Sequence, residues 1–240
     1  MVKVGLCAFI YKRLTEHQPH VIILTGHAGD GKTSIMYQVL KEMGISFNVT
    51  EKISDVTLPT GKICRCIKDF SELADDDKKD VLREVVALPN LGKFVFMVAN
   101  TGPLINTYGE LFENYKEQEK ARIDLIDSMD KNTGRIDDIM GHKICVINVA
   151  TVDNTYFASE FLENIVQAKL WNKCNDCLKN EYCHIIKNRN LIVKNKQKVL
   201  EFIDMHYIWL TEHGKRLTIR SMTEQLAYMI TGGENCLEVV

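Results

Sequence analysis

The sequence lacks an apolar run long enough to cross a membrane, and it lacks an excess of charge of either sign. A spanning helix needs roughly 20 consecutive apolar residues, and no stretch approaches that length, so we expect no membrane partner. The formal net charge of −2 excludes a global attraction to nucleic acid. Residues 4–10 are apolar but short and lack a small-residue cleavage site, so we do not expect a signal peptide.

The cysteines do not form the regular framework of a small disulfide-rich protein. Eight cysteines occur, mostly scattered through apolar segments, which indicates buried thiols in a reducing compartment and therefore a cytoplasmic protein. The chain has 240 residues, of which 45% are hydrophobic and 26% charged. This composition is typical of a globular protein with one α/β core and a small helical appendage.

The clearest motif is a phosphate-binding loop between an apolar strand and a helix. Residues 21–24 are typical of a strand buried on both faces, and apolar residues recur at helical spacing over 34–43. Glycines in the intervening G-x-x-x-x-G-K-[ST] pattern let backbone N–H groups converge on an anion. We predict that Lys32 reaches the β- and γ-phosphates of ATP and that Thr33 ligates Mg²⁺. An ordinary glycine-rich turn would leave the Lys-Thr pair unexplained. The predicted nucleotide-binding residues are Gly26, His27, Ala28, Gly29, Asp30, Gly31, Lys32 and Thr33.

Two acidic residues follow a strand predicted over 63–67. An acid after an apolar strand, downstream of a phosphate loop, is suited to organise Mg²⁺, which makes Asp69 the candidate metal ligand. Glu72 is the candidate for polarising the attacking water. The alternative is that Asp69 or Ser71 caps the following helix and that Glu72 only favours its first turn.

A polar amide follows the strongest remaining strand, predicted over 94–99. Asn100 is suited to hold the attacking water or to sense the γ-phosphate, and its position after a central strand favours that role. The alternative is an asparagine that serves only the turn.

Strands alternate with helical patterns up to about residue 150. Residues 45–49 suggest a weak strand, 51–61 a loop and 143–149 a strand. Residues 108–130 suggest a long charged helix, either continuous or broken. The alternation predicts an α/β fold, a P-loop NTPase with a doubly wound parallel sheet and helices on both faces.

The composition changes after this alternation ends. We expect an ATPase core over 1–158 and a C-terminal helical lid over 159–240, with a cysteine-rich insertion at 171–190. Two helices are predicted in the lid beyond the insertion, over 199–213 and 221–230.

The cysteine-rich insertion contains a candidate metal site. Cys174 and Cys177 form C-x-x-C, and with Cys183 they could share a zinc ion or an iron–sulfur centre. His184 adjoins Cys183 and would strain to bind the same ion. The alternative is three surface thiols, or the remnant of a lost site, without a metal. The fold would have to supply a fourth ligand, either Cys145 or Cys236.

Two sets of cations in the lid are further candidates. Arg220 begins the last predicted helix, from which an arginine can reach a γ-phosphate, the alternative being a surface arginine. A basic run beside the insertion is the best candidate for contacting DNA, although such runs are usually solvated faces. The run comprises Lys187, Arg189, Lys194, Lys196 and Lys198.

The motifs together resemble one family. GHAGDGKT, KDFSEL, VANTG, C-x-x-C-x₅-C and LTIRSM…YMITGG occur in this order between residues 20 and 233. They resemble the ATPase component, designated F, of DNA phosphorothioation-dependent restriction systems. The resemblance implies an AAA-type P-loop fold and a role in bacterial defence against foreign DNA. It also implies that other restriction-complex subunits are partners and that DNA is contacted directly or through them.

The resemblance also assigns roles to residues. It implies that Asp69 and Glu72 occupy the second acidic motif and that Asn100 and Arg220 occupy the two sensor positions. The family usually places its two acids side by side, whereas Phe70 and Ser71 separate them here. The family's proteins are also longer, so we expect this chain to correspond to an N-terminal part or to a truncated copy. The candidates for an arginine acting across subunits of a homo-oligomer are Arg122 and Arg135.

Two functions remain open from the sequence. The first is an ATP-hydrolysing subunit that powers a DNA restriction complex. The second is a non-catalytic switch or scaffold in which bound ATP orders an interface. The separated acids favour the switch, and Asn100 and Arg220 favour the hydrolase. A small-molecule kinase is disfavoured because no second substrate motif is evident.

Overall fold

The chain folds into two compact units. The computed structural model describes residues 2–16, 18–46, 50–167 and 169–236. The units are Met1–Thr151 and Val152–Val240, so they divide a few residues before the boundary expected after residue 158.

A six-stranded sheet forms the centre of the first unit, with the strand order β2-β3-β4-β1-β6-β5. The four central strands are parallel, whereas each edge strand is antiparallel to its neighbour. The expectation of an entirely parallel sheet is therefore corrected to a mixed sheet. The strands are β1 (Val21–Thr25), β2 (Ile53–Thr57), β3 (Ile63–Ile67), β4 (Phe94–Val98), β5 (Asp137–Ile139) and β6 (His142–Asn148).

Short connections explain the antiparallel edges. Met140 and Gly141 connect β5 to β6 with φ values of 53° and 85°, as in the tight turns that join hairpin strands. A similarly short turn with Gly61 at φ 78° connects β2 to β3. A chain that reverses within so few residues can pair only antiparallel. The segment 51–61 was therefore wrongly predicted as loop throughout, because Pro59 and Gly61 belong only to its turn.

Helices cover both faces of the sheet. Alternate residues of β1 face opposite sides, so that Ile22 and Leu24 pack in one core and Val21 and Ile23 in the other. Fully burying such a side chain contributes about 1.5–3 kcal/mol. Helices α1 (Val2–Leu14) and α2 (Lys32–Glu42) cover the first face, and α3 (Asp75–Ala87), α4 (Thr101–Gly109) and α5 (Tyr115–Lys131) cover the second.

The structure decides two further predictions for this unit. Of the two arrangements left open for 108–130, the broken one is observed, because Asn114 caps a new helix by accepting a hydrogen bond from the Glu117 N–H at 2.8 Å. The weak strand expected over 45–49 is absent at residues 45 and 46, and 47–49 lie outside the described residues.

The second unit is helical in its described part. Its core contains apolar residues from each of its α-helices, with Leu162, Tyr207 and Leu226 almost completely buried. No helix in the described part of the chain is long and apolar enough to cross a bilayer. The α-helices are α6 (Ala158–Val166), α7 (His184–Lys194), α8 (Lys196–Glu212) and α9 (Ile219–Thr231).

Candidate nucleotide site

The segment between β1 and α2 is a tight glycine loop. Gly26, Gly29 and Gly31 have φ values of 147°, 89° and 80°, which glycine adopts far more readily than other residues. A Cβ atom on Gly26 would lie 3.0 Å from both Asp30 Oδ2 and Val149 Cγ2. Glycine at position 26 therefore lets the loop close against the end of β6.

Asp30 holds the loop together from inside. Its side chain is buried, and Oδ2 accepts a hydrogen bond from the His27 backbone N–H at 2.8 Å. His27 and Ala28 are exposed on the outer side of the loop. Asp30 thus shapes the loop, which is a more specific role than its place in the motif suggested.

Lys32 is the first residue of α2 and is buried. Its ammonium donates to the His27 carbonyl at 2.7 Å, to the Gly26 carbonyl at 3.3 Å and to Asn100 Oδ1 at 2.9 Å. The side chain therefore lies along the loop, and its charge adds to the positive end of α2. This combination of a lysine, a helix N-terminus and a glycine loop is suited to bind phosphate.

Asn100 connects β4 to the loop. Its side chain accepts the Lys32 hydrogen bond, and its backbone N–H donates to Ser71 Oγ at 2.7 Å. Asn100 occupies the N-cap position of α4 but makes no capping hydrogen bond with its side chain. The Asn100 side chain therefore contacts Lys32 and does not cap the helix that follows it.

Asp69 and Glu72 lie close together beyond the end of β3. Burial and the neighbouring Glu72 carboxylate raise the pKa of Asp69, against the opposing effect of Lys32 and Lys52. Lys52 also donates to the Glu72 carbonyl at 2.8 Å. The two acids thus concentrate carboxyl groups close to Lys32.

Helix capping does not explain these acids. Asp69 precedes a short 3₁₀ helix, Phe70–Glu72, without a side-chain capping bond. The Ser71 hydroxyl instead accepts a hydrogen bond from Asn100. Glu72 belongs to the 3₁₀ helix and not to the first turn of α3.

The Thr33 hydroxyl lies near the start of the acidic segment. It donates to the carbonyl of Lys68 at 3.3 Å, and Lys68 immediately precedes Asp69 in the chain. Hydroxyl and carboxylate oxygens are the ligands that Mg²⁺ prefers, and a divalent cation would relieve the repulsion between adjacent carboxylates. Thr33 and Asp69 therefore have the ligand chemistry that a magnesium ion requires.

The parallel strand order brings these residues together. β4 lies between β1 and β3, with Leu24 paired to Val98 and Ile67 paired to Met97. The carboxyl ends of the three strands therefore share one edge of the sheet, where α/β proteins commonly bind ligands.

Two contributors to this edge were missed in the sequence. Ser71 orients the Asn100 backbone, and Lys52 reaches Glu72. No sequence signal could identify Lys52, because it immediately precedes β2 and the antiparallel edge of the sheet was not foreseen.

The three cysteines of the insertion lie in a succession of turns in the second unit. Cys174 ends a short 3₁₀ helix and Cys183 directly precedes α7. The Cys177 N–H donates to the Cys174 carbonyl at 3.3 Å, and the Cys183 N–H donates to the Lys179 carbonyl at 2.9 Å. Among the described residues, no group of three or more His, Cys, Asp or Glu side chains is already arranged to hold a metal ion.

The basic run is partly used within the second unit. Arg189 donates to the Val166 carbonyl at 2.9 Å and its guanidinium lies 5.7 Å from the ring centroid of Trp171. Lys196 pairs with Glu163. The remaining residues of the run, all exposed, are Lys187, Lys194 and Lys198.

The candidate arginines occupy different units. Arg220 is exposed in the first turn of α9, in the second unit. Arg122 pairs with Glu119 on α5, and Arg135 is exposed before β5, both in the first unit.

The chain was also compared with known proteins. No protein-family model matches it, and no curated protein matches it significantly.

Proposed function

We propose that this chain is an ATP-binding and ATP-hydrolysing subunit, acting at the shared edge of β1, β3 and β4. The supporting observation is the Lys32 ammonium, which contacts the glycine loop and Asn100 together. ATP presents polyanionic phosphates and is normally bound with Mg²⁺, and the loop, lysine and acids suit both.

In this proposal each residue has a separate task. The loop N–H groups and Lys32 bind the β- and γ-phosphates, while Thr33 and Asp69 hold Mg²⁺, which neutralises phosphate charge. Asn100 orients the attacking water, and Glu72 accepts its proton.

Steady-state phosphate release tests the catalytic part. Glu72→Gln should leave ATP affinity unchanged and slow turnover by a factor on the order of 100 or more, the usual contribution of a general base. Glu113→Gln, an exposed substitution on the same unit, serves as the matched control. Equal turnover in wild type and Glu72→Gln would remove Glu72 from the mechanism.

A nucleotide-dependent switch is the second candidate, and one observation favours it. Glu72 is separated from Asp69 by Phe70 and Ser71, and its backbone carbonyl accepts a hydrogen bond from Lys52. With Glu72 held in this position, the subunit binds nucleotide but does not activate water efficiently. ATP binding with negligible phosphate release, in the presence and absence of DNA, would support the switch over the hydrolase.

The biological setting follows from the motif resemblance alone. We propose a cytoplasmic subunit of a bacterial DNA restriction complex, with other subunits and DNA as partners and homo-oligomerisation as an additional arrangement. Copurification with neighbouring gene products tests this proposal. Association should require ATP and should be lost in Lys32→Ala; a complex that forms equally well without nucleotide would contradict it.

Direct DNA contact has a narrower test. Reversing the charges of Lys187, Lys194 and Lys198 should weaken DNA association and flatten its salt dependence, because fewer counterions are then released. Lys41→Glu, on an exposed part of α2, is the control. Unchanged association would assign any DNA contact to another subunit.

A further inference from the structure

We infer that Cys236 joins Cys174, Cys177 and Cys183 as the fourth ligand of a structural zinc site. The four cysteines line one small cavity in the second unit, together with Lys179. Four thiolates are a complete tetrahedral ligand set for zinc, and C-x-x-C is a common first pair.

Two contacts that do not involve the cysteines bring the segment after α9 to this cavity. Asn188 on α7 donates to the Ile230 carbonyl near the end of α9 at 3.0 Å. His184 Nε2 lies 3.4 Å from the Glu234 carboxylate. These two contacts hold the segment after α9 beside the start of α7, so Cys236 arrives next to Cys183 without any contribution from a metal.

The turn itself has little apolar surface to keep it ordered. Cys177 and its neighbours are exposed, and Leu178 is 100% exposed. Backbone hydrogen bonds between residues three or four positions apart hold the segment between Cys174 and Cys183. A metal crosslink supplies the order that such a segment cannot obtain from a core. The thiols line the cavity but are not arranged to hold a metal ion, so metal binding requires the sulfur atoms to turn inward between staggered χ1 rotamers.

The ligand set itself favours a single zinc ion. Zinc needs only the four thiolates, whereas an iron–sulfur cluster also needs several iron and sulfide ions. Zinc is therefore the metal that the inference assigns, and an iron–sulfur centre is the competing outcome of the test.

Metal analysis of the full chain tests the inference. Protein purified anaerobically without added metal should contain about one zinc per chain, as a single tetrahedral site requires. In competition with a chelator, Cys236→Ser should bind zinc on the order of 100-fold more weakly, because one of four ligands is lost. Cys236→His should restore most of the affinity, since imidazole also binds zinc. Cys7→Ala, a buried cysteine of the first unit, should leave zinc content unchanged.

Cobalt substitution provides a measurement whose decisive spectrum is that of the wild-type protein. Cobalt(II) in the wild-type protein should show the thiolate charge-transfer intensity of four sulfur ligands, and Cys236→His that of three. A wild-type protein with no zinc, or with iron and sulfide in its place, would overturn the inference. Unchanged zinc affinity in Cys236→Ser, with a three-thiolate cobalt spectrum in wild type, would overturn the role of Cys236.

Discussion

The glycine loop between β1 and α2 and the cysteine turn, residues 174–183, are both short polar segments, but they are held in place by different means. The glycine loop joins a strand whose five residues are all buried to a helix packed on the same sheet. The cysteine turn has half-buried and exposed residues, with Leu178 completely exposed. A core positions the first segment before any ligand binds, whereas the second relies on local turns and, by our inference, on a metal. Two short polar segments are therefore ordered differently, one by the core beneath it and the other, by our inference, by a bound metal.

The largest effect should come from removing the lysine of the preformed site. Lys32→Ala should weaken ATP binding by about 100-fold, because charge-assisted hydrogen bonds to phosphate worth about 3 kcal/mol are lost. Isothermal titration with Mg²⁺–ATP measures this change. Lys41→Ala, on the exposed side of the same helix, should leave affinity unchanged. Equal affinities in wild type and Lys32→Ala would show that the loop does not bind the nucleotide phosphates.

The shape of the loop is tested by a smaller change at its first glycine. Gly26→Ala places a methyl group 3.0 Å from Asp30 Oδ2 and Val149 Cγ2, at a φ of 147°. It should lower the free energy of unfolding by about 1–3 kcal/mol and also weaken ATP binding.

A control substitution at a second glycine separates the effect of steric contact from that of backbone strain. Gly61→Ala also requires a positive φ, of 78°, but its methyl group meets no atom within 4 Å. It should cost about 1–2 kcal/mol through strain alone and leave ATP affinity unaltered. Denaturant unfolding measures the free energy of unfolding of both variants, and nucleotide titration measures their ATP affinity. An unchanged ATP affinity in Gly26→Ala would contradict a preformed loop.

Removing one side-chain hydrogen bond from each unit tests whether the two units unfold independently. Tyr108 is buried in the first unit, and its hydroxyl donates to the Ile139 carbonyl at 2.7 Å. Trp171 in the second unit donates through Nε1 to the Ile165 carbonyl at 2.7 Å. Tyr108→Phe and Trp171→Phe should each lower the free energy of unfolding by about 0.5–1.5 kcal/mol, because each removes one hydrogen bond to a backbone carbonyl.

Hydrogen exchange can assign each of these losses to a unit. Faster exchange should be confined to the unit that carries the substitution, and ATP affinity should remain unchanged in both variants. A loss of protection that spreads equally through both units would show that they unfold together.

The smallest effect concerns the acids and depends on pH. The pKa of Asp69 is raised in the folded state by burial and by Glu72, above an unfolded value of about 3.9. The folded state therefore binds the proton more tightly, and the free energy of unfolding falls as pH rises from the unfolded pKa through the folded pKa. Asp69→Asn should remove this decline and slightly stabilise the ligand-free protein at neutral pH, while it weakens Mg²⁺-dependent ATP binding. Denaturation curves from pH 3 to 8 measure the decline, since Asp69 ionises at about pH 4 in the unfolded chain. Identical pH profiles for wild type and Asp69→Asn would contradict the raised pKa of Asp69.

Prediction from the sequence succeeded where a structure is formed by neighbouring residues. The run from Val21 to Leu24 predicted a fully buried strand, and β1 pairs on both sides at the centre of the sheet. The apolar spacing after Lys32 predicted the helix now seen as α2. Strand β2 was missed because its edge position leaves its alternation half-exposed, with Pro59 and Gly61 close behind it.

What the sequence determined by itself is therefore the strand–loop–helix unit around Gly26 to Thr33, since backbone torsions and apolar spacing act over a few residues. Only the tertiary structure decided which distant residues become neighbours. It inserted β4 between β1 and β3, which brought Asn100 to Lys32, and it directed the end of α9 so that Cys236 meets Cys174. These contacts depend on the path of the chain between the elements, on which local periodicity carries no information.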